Sequence, residues 1–209
     1  MSQTLLNVSN LSCERDGRQL FCDLSFSLRC GELLQVAGPN GSGKTSLLRI
    51  LCGLGAYQQG QVNWFGDENS GGLAPDFSRI LFLGHQPGLK SALSPRENLS
   101  WYFDLRNSVS LPEIDAALVS VGLAGFEDVP THQLSAGQQR RIALARLRLS
   151  KAEVWVLDEP FTAIDLAGVA ELEAQLAEFV QAGGAVLLTT HHKLSLIDNV
   201  QRLELGGST

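Results

Sequence analysis

The sequence lacks features that would place the chain in a membrane, in a secretory pathway or among zinc proteins. No apolar run approaches the ~20 residues that a membrane-spanning helix needs. The amino terminus lacks the basic segment and apolar stretch of a signal peptide. The cysteines have no CxxC spacing and no neighbouring histidines, which favours reduced structural thiols at Cys13, Cys22, Cys30 and Cys52. We therefore expect no direct membrane insertion, so that another protein would have to hold this chain at a membrane.

Positive charge is also scarce. Sixteen lysines and arginines stand against 22 acidic residues, which gives a net charge of −6. Such a balance disfavours a general nucleic-acid binder or a protein that binds anionic membranes, and we expect no nucleic-acid partner. With 209 residues, 44% of them hydrophobic, the chain is long enough for one buried core, and we expect a single domain over residues 1–209.

Strand-like and helix-like patterns alternate along the chain. Residues 47–54, 91–150 and 165–181 have helical spacing. The strand-like segments are 5–11, 20–28, 33–37, 61–66, 80–84, 154–157 and 185–190. This alternation predicts an α/β fold with a layered mixed-sheet core. The helical block interrupts the strands, so we expect residues 91–150 to form an inserted helical subdomain. Residues 1–90 and 151–209 would then form the catalytic core, with antiparallel β segments.

A glycine-rich loop follows the apolar run 33–37 and precedes a helix-like segment. Glycines let consecutive backbone N–H groups wrap closely around a phosphate, and the following helix directs its positive end at the anion. Lys44 adds positive charge, and the Thr45 hydroxyl suits Mg²⁺. The pattern predicts a nucleotide phosphate site made of Gly38, Pro39, Asn40, Gly41, Ser42, Gly43, Lys44, Thr45 and Ser46.

Two carboxylates end the buried apolar run 154–157. Ligands of α/β sheets bind at the carboxyl ends of strands, and adjacent carboxylates there favour a bound cation. We therefore expect Asp158 to hold Mg²⁺ and Glu159 to polarise an attacking water. The alternative, a solvent-exposed acidic turn, is disfavoured by the phosphate loop in the same chain.

A second anion site is predicted where LSAGQ, residues 134–138, opens an arginine-rich helix. The small residues Ser135, Ala136 and Gly137 leave the helix start open to a phosphate group. The basic side chains beyond it are compatible with a solvent-exposed helix face: Arg140, Arg141, Arg146, Arg148 and Lys151.

Together these motifs resemble the ATP-binding cassette (ABC) family over essentially the whole chain. Gln86 in FLGHQPG is similar to the family's Q-loop glutamine, Asp165 in TAID to its D-loop aspartate, and His191 in LLTTHH to its switch histidine. The resemblance implies a P-loop NTPase of ABC type that hydrolyses ATP with Mg²⁺. It also implies a head-to-tail homodimer, in which each ATP lies between the phosphate loop of one copy and the signature LSAGQ of the other.

The resemblance also implies individual roles. Lys44, Glu159 and His191 would be catalytic, and the metal ligands would be Thr45, Gln86 and Asp158. Nucleotide contacts would come from Gln86 and from Ser135, Ala136, Gly137, Gln138 and Asp165. The sequence departs from the family pattern at Ala136, usually glycine, and at Arg15, where the family has an aromatic on adenine. The guanidinium plane of Arg15 could stack on the base, or the side chain could lie in solvent.

Within the family, local segments are similar to the ATPase subunit of the haem-handling exporter used in bacterial c-type cytochrome maturation. These segments are SCERDGR, LFLGHQPGLK and the short stretch after TTHHKL. The similarity implies integral membrane subunits, haem export or release of a haem-loaded chaperone, and a peripheral location on the cytoplasmic face of the inner membrane. The alternatives are a soluble ABC ATPase of iron–sulfur assembly and the ATPase of another small-substrate exporter. We expect partner docking near residues 91–106, with Trp101 and Phe103 as test positions.

Overall fold

The computed structural model describes residues 3–66, 76, 78–104, 109–198 and 200–206. Its strands are β1 (Thr4–Arg15), β2 (Arg18–Arg29), β3 (Leu33–Ala37), β4 (Gln59–Trp64), β5 (Ile80–Leu83), β6 (Val154–Asp158), β7 (Ala185–Thr189) and β8 (Gln201–Glu204). Its helices are α1 (Lys44–Leu51), α2 (Pro95–Asp104), α3 (Leu111–Ser120), α4 (Ala136–Leu149) and α5 (Leu166–Gln181).

An antiparallel sheet is formed by the first part of the chain in the order β2-β1-β4. Asp16 and Gly17 connect β1 to β2 with φ of 52° and 74°, and Arg15 pairs with Arg18 across the turn. Positive φ at both central residues is typical of the two-residue hairpin that matches strand twist. The predicted strand pair and its Asp-Gly turn are therefore confirmed.

A parallel sheet follows, in the order β5-β6-β7-β3-β8. All residues of β6 and β7 are buried, as their uninterrupted apolar runs predict for strands covered on both faces. Because the strands are parallel, the segments after β3, β5, β6 and β7 emerge at one edge. The sequence did not predict β8, since the short edge strand Gln201–Glu204 has no apolar run.

Helices cover the parallel sheet on both faces. Leu47, Leu48 and Leu51 of α1 pack into the core between the two sheets. On the other face α5 lies against β6, where the Phe179 and Trp155 rings stack with centroids 3.7 Å apart. This packing confirms the expected α/β class and places α1 directly behind the loop 38–43.

A separate hydrophobic cluster joins α2, α3 and α4. Its fully buried members include Leu99, Ile114, Leu118 and Ile142. We propose that this cluster defines the helical subdomain expected for residues 91–150, beside a catalytic core of residues 1–90 and 151–209.

Among the described residues, no helix combines the length and the apolar character needed to cross a membrane.

Candidate functional site

An open cavity of about 450 Å³ lies at the carboxyl edge of the parallel sheet. Segments that are far apart in the sequence meet there: the end of β1, the loop before α1 and the end of β6. The lining residues are Arg15, Leu20, Asn40, Gly41, Gly43, Lys44, Thr45, Ser46, Asp158 and Glu159. The structure thus brings the predicted phosphate loop, both predicted carboxylates and Arg15 to one place.

The loop glycines are required for different reasons. A Cβ on Gly38 would lie 2.3 Å from the Leu205 carbonyl oxygen, and a Cβ on Gly43 would lie 3.0 Å from Leu20 Cβ. Gly41, with φ of 81°, has no heavy atom within 4 Å of its Cβ position. Packing against the chain itself thus requires glycine at Gly38 and Gly43, and close approach of a phosphate to the three glycines stays a prediction.

The start of α1 is prepared for an anion. Gly43 precedes the helix and provides no side-chain cap, so the first N–H groups have no side-chain acceptor from this residue. Lys44 Nζ donates to the carbonyl oxygens of Gly38 at 2.8 Å and Pro39 at 3.1 Å, which holds the ammonium over the loop. Backbone donors and a positive charge therefore converge beside the cavity.

Asp158 is held by two hydroxyl groups. Thr45 Oγ1 donates to Asp158 Oδ2 at 2.9 Å, and Thr189 Oγ1 donates to Asp158 Oδ1 at 2.7 Å. The carboxylate is almost fully buried. Within the described chain no group of three or more His, Cys, Asp or Glu residues could hold a metal. The Thr45 and Asp158 oxygens nevertheless fit Mg²⁺, which takes one or two protein oxygens and completes its shell from water and phosphate.

Glu159 follows in a constrained backbone conformation. Its φ of 48° lies in the left-handed region, which is uncommon for a residue with a side chain. The Glu159 N–H donates to Thr189 Oγ1 at 2.9 Å, and its carbonyl accepts from Arg140 Nη2 at 2.7 Å. The carboxylate is partly exposed, and His191 Nε2 lies 3.6 Å from Glu159 Oε1. The predicted base and switch histidine therefore face each other beside the cavity.

The remaining predicted site residues do not line the cavity of their own chain. Gln86 is exposed in the segment after β5. Ser135 and Gln138 form a reciprocal capping box at the start of α4, so the Gln138 side chain is directed at its own helix start. The predicted site residues outside the lining are Gly38, Pro39, Ser42, Gln86, Ser135, Ala136, Gly137, Gln138, Asp165 and His191.

Asp165 has a structural role at the start of α5. Its Oδ1 accepts from the Gly168 N–H at 3.0 Å, and its Oδ2 accepts from Arg141 Nη2 at 2.8 Å. The bond from Gly168 and the charge of Arg141 lower the pKa of Asp165. Nearby, a Cβ on Gly137 would lie 3.0 Å from the Ala163 carbonyl oxygen, so the signature packs closely against the segment after Glu159.

The expected solvent-exposed face of α4 is wrong for two of its arginines. Arg140 and Arg146 are buried, at 3% and 5% exposure, whereas Arg148 and Lys151 are exposed. Arg146 donates to the Gly88 carbonyl at 3.1 Å and stacks over the Tyr102 ring. Burial lowers the pKa of Arg140, and the charges of Asp158 and Glu159 oppose that shift. Charge alone did not reveal this burial, because arginine is usually exposed.

Sequence reasoning also missed a buried carboxylate on α5 that contacts the segment after β7. Glu173 of α5 accepts hydrogen bonds from the N–H groups of Ser195 and Leu196, and His192 Nε2 lies 3.2 Å from its Oε2. Burial raises the pKa of Glu173, but the bonds from Leu196, His192 and Ser195 outweigh it, so the pKa is lowered. The one sequence signal for this burial was the position of Glu173 beside the apolar positions of α5.

With this geometry established, comparison with known proteins identifies the family. The sequence profile described as ABC transporter matches residues 21–162. The chain therefore belongs to the ABC transporter family, as an ATP-binding domain.

Curated relatives narrow the similarity. The chain is 52% identical to a protein of Hahella chejuensis over 202 residues, covering 97% of this chain and 96% of the relative. It is 51% identical to one of Yersinia pseudotuberculosis, covering 98% and 94%. It is 54% identical to one of Pseudomonas syringae pv. tomato, covering 91% and 89%. All three are named cytochrome c biogenesis ATP-binding export protein CcmA.

Solved structures agree on the fold. A dimeric ATP-binding cassette in a post-hydrolysis state, bound to ADP and Pi, superposes with a TM-score of 0.81 at 21% identity and 97% coverage of both chains. The ATP-binding subunit of an ABC transporter superposes with a TM-score of 0.78 at 21% identity, covering 96% of this chain and 85% of that one. The expected ABC-type architecture is thereby confirmed.

Proposed function

We propose that this chain is the ATP-hydrolysing subunit of an export system in cytochrome c biogenesis, and that it drives separate integral membrane subunits. The curated relatives support this assignment, because their names give ATP binding and export in cytochrome c biogenesis and they match nearly the full chain at about half identity. The resemblance of local sequence segments to the haem-handling exporter supports haem export, or release of a haem-loaded chaperone, as the process that this subunit drives.

The observation that carries the ATPase assignment is the hydrogen bond from Thr45 to Asp158, with Glu159 next in the chain. It joins the phosphate loop to the end of β6, where the transferred phosphate and the attacking water would meet. In this proposal the loop 38–46 binds the phosphates through Lys44 and through the N–H groups of its non-proline residues, Glu159 polarises the water, and Arg15 stacks on the adenine. Thr45 and Asp158 would hold Mg²⁺, which would neutralise charge on the transferred phosphate.

A second copy of the chain completes the site in this proposal. Ser135, Ala136, Gly137 and Gln138 lie outside the cavity of their own chain, yet they form a helix start suited to phosphate. A head-to-tail homodimer would bring this start to the ATP of the partner copy. Asp165 would lie near the contact between the two copies. His191 would contact the γ-phosphate, and Gln86 would lie near both the γ-phosphate and the metal. ATP binding would then close the dimer, and hydrolysis would reopen it.

The membrane partners determine the location that we propose, which is peripheral attachment at the cytoplasmic face of the inner membrane. The docking surface would lie near residues 91–106, where Trp101 has 46% of its surface exposed. Phe103 is buried at 4% exposure, so of the two predicted test positions only Trp101 is available to a partner.

The deciding experiment is to purify the full chain under native conditions after mild detergent extraction and to identify what accompanies it. We expect integral membrane proteins in stoichiometric amounts, and ATPase activity that changes when they are present. Soluble iron–sulfur scaffold proteins without membrane subunits would contradict the export assignment. If integral membrane subunits accompany the chain, but its ATPase activity rises with another small molecule and not with haem, a different exporter would be favoured.

A further inference from the structure

Arg140, in the second turn of α4, is a buried charged residue beside the proposed catalytic carboxylates and has no role in the reaction proposed above. Only 3% of its surface is exposed. Within the described chain it forms no ion pair, and its guanidinium donates instead to backbone carbonyl groups. The acceptors are Gly84 (3.0 Å) and His85 (3.4 Å) for Nη1, Asp158 (3.2 Å) and Glu159 (2.7 Å) for Nη2, and Pro160 (3.4 Å) for Nε.

These carbonyl groups belong to the ends of two neighbouring parallel strands. Gly84 and His85 follow β5 and lead directly to Gln86. The other three lie at the end of β6 and include Glu159 itself. The planar guanidinium therefore ties both strand ends to α4, five residues after its cap Ser135.

The cost of this arrangement indicates a role beyond packing. A buried guanidinium keeps its charge, and without a paired carboxylate it loses hydration that several carbonyl bonds must replace. Well-packed apolar side chains commonly stabilise such a position as well as a buried charge does. An apolar side chain, however, could not fix the direction of the Glu159 carbonyl group.

That direction matters because the Glu159 backbone is in a disfavoured conformation. With φ of 48°, it persists only where its surroundings hold it. Thr189 holds the peptide before Glu159 through the N–H group, and Arg140 holds the peptide after it through the carbonyl oxygen. Loss of the Arg140 bond would let this peptide rotate and would redirect the Glu159 carboxylate.

We propose that Arg140 is a positioning residue for ATP hydrolysis, because it fixes the backbone of Glu159 and links that backbone to the helix that begins at the signature. This role rests on the proposed function of Glu159 as the base. In the proposed dimer the signature contacts the partner copy's ATP, so Arg140 connects occupancy of one site to the alignment of the carboxylate in the other.

The test uses the purified full chain with its membrane partners and compares Arg140→Gln and Arg140→Lys with Arg146→Gln. Arg146 is the matched control, since it is buried in the same helix and its described hydrogen bond goes to the Gly88 carbonyl, away from the end of β6. We expect both Arg140 variants to lose about 100-fold in kcat per nucleotide-binding site, because a small misplacement of a reacting group costs about that much. Lysine keeps the charge, but its single ammonium group cannot reproduce the planar set of hydrogen bonds to both strand ends.

Two further readouts separate positioning from general destabilisation. Binding sites are counted by titration with a non-hydrolysable ATP analogue, whose Kd should stay within about threefold of wild type. In a Glu159→Gln background, adding Arg140→Gln should cause no further loss of hydrolysis, because the two residues act as a unit. If the Gln variant does not fold, the Lys variant decides by the same criteria.

The proposal is overturned if an Arg140 variant keeps kcat per site within about threefold of wild type, or if Arg146→Gln loses as much. Equal losses of binding and hydrolysis would also overturn it. If Glu159→Gln hydrolyses ATP normally, the proposed base is wrong. If Glu159→Gln is inactive while the Arg140 variants turn over normally, only the positioning role fails.

Discussion

Thr45 donates a 2.9 Å hydrogen bond to Asp158, so the first turn of α1 is fixed to the last residue of β6. The second carboxylate oxygen of Asp158 is bound by Thr189 at the end of β7. Three elements thus orient one buried carboxylate through two hydroxyl groups. Such outer contacts commonly set how tightly a carboxylate binds a metal ion.

Replacement of Thr45 by valine should shift the Mg²⁺ dependence of hydrolysis. Valine removes the hydroxyl but keeps the branched shape, so the Mg²⁺ concentration for half-maximal ATPase activity should rise about tenfold or more. The measurement is an activity titration with Mg²⁺ at saturating ATP. Thr45→Ser keeps the hydroxyl and is the control. An unchanged Mg²⁺ titration for Thr45→Val would remove Thr45 from the proposed metal site.

Replacement of Glu159 by glutamine should separate ATP binding from hydrolysis. Loss of a general base lowers the rate by roughly 10²- to 10⁴-fold, while the phosphate-binding loop remains intact. With ATP and Mg²⁺ a closed dimer should accumulate, as measured by size-exclusion chromatography. Glu153, which pairs with Arg79 just before β6, is the matched control, and Glu153→Gln should hydrolyse ATP normally. Normal turnover in the Glu159 variant would contradict its assignment.

Replacement of Lys44 by alanine should weaken nucleotide binding and abolish measurable hydrolysis. The ammonium group is held over the loop by the Gly38 and Pro39 carbonyls, where it would face the phosphates. Nucleotide affinity is measured by calorimetry, and Lys90→Ala serves as the control at a distant lysine. Wild-type affinity and activity in Lys44→Ala would refute the phosphate contact.

Trp101 and Phe103 should respond differently to alanine. Trp101 is 46% exposed, and the Lys90 ammonium lies 4.1 Å over its ring. Trp101→Ala should leave the thermal stability of the isolated chain nearly unchanged and weaken partner association. Phe103→Ala should instead lower the free energy of unfolding by about 3–5 kcal/mol, because it empties a core position. Undiminished co-purification of Trp101→Ala with membrane subunits would move the docking surface elsewhere.

Glu173→Gln should destabilise the protein at neutral pH. Glutamine keeps one acceptor oxygen for Ser195 and Leu196 but loses the charge and the second acceptor beside His192, and we expect a loss of about 1–3 kcal/mol. Because the pKa of Glu173 is lowered in the folded state, its stabilisation is present above the ordinary glutamate range and is lost as pH falls through the folded pKa. In urea unfolding, the difference in the free energy of unfolding between wild type and variant should therefore become smaller as the pH is lowered.

The control for that series is the exposed Glu171 on the same helix. Glu171→Gln should change stability by no more than about 0.5 kcal/mol. If the difference in unfolding free energy between wild type and Glu173→Gln is equal at neutral and acid pH, Glu173 stabilises the chain by its shape and not by its charge.

The strand core could be predicted because its sequence signals are local. The apolar runs of β3, β6 and β7 give nearly the observed bounds, and Asp16-Gly17 gives the hairpin turn. The phosphate loop could be predicted for the same reason, since its glycines and Lys44 are consecutive.

Contacts between distant segments could not be predicted in this way. Arg140 and Glu173 resemble surface residues in a single sequence, and they are buried only because strand ends and loops from elsewhere surround them. The requirement for Gly38 likewise depends on the Leu205 carbonyl, which lies far along the chain. Charged residues that are buried by tertiary contacts have no periodic signature.

The order of strands around β3 has a consequence for biosynthesis. Its partners on the two sides are β7 and β8, the last strands of the described chain, so both edges of β3 stay unpaired until residues 185–204 are made. The strand β3, which leads into the phosphate-binding loop, therefore gains its two sheet partners only after β7 and β8 leave the ribosome. A nascent chain halted before β7 would expose an apolar strand edge to chaperones or to other nascent chains.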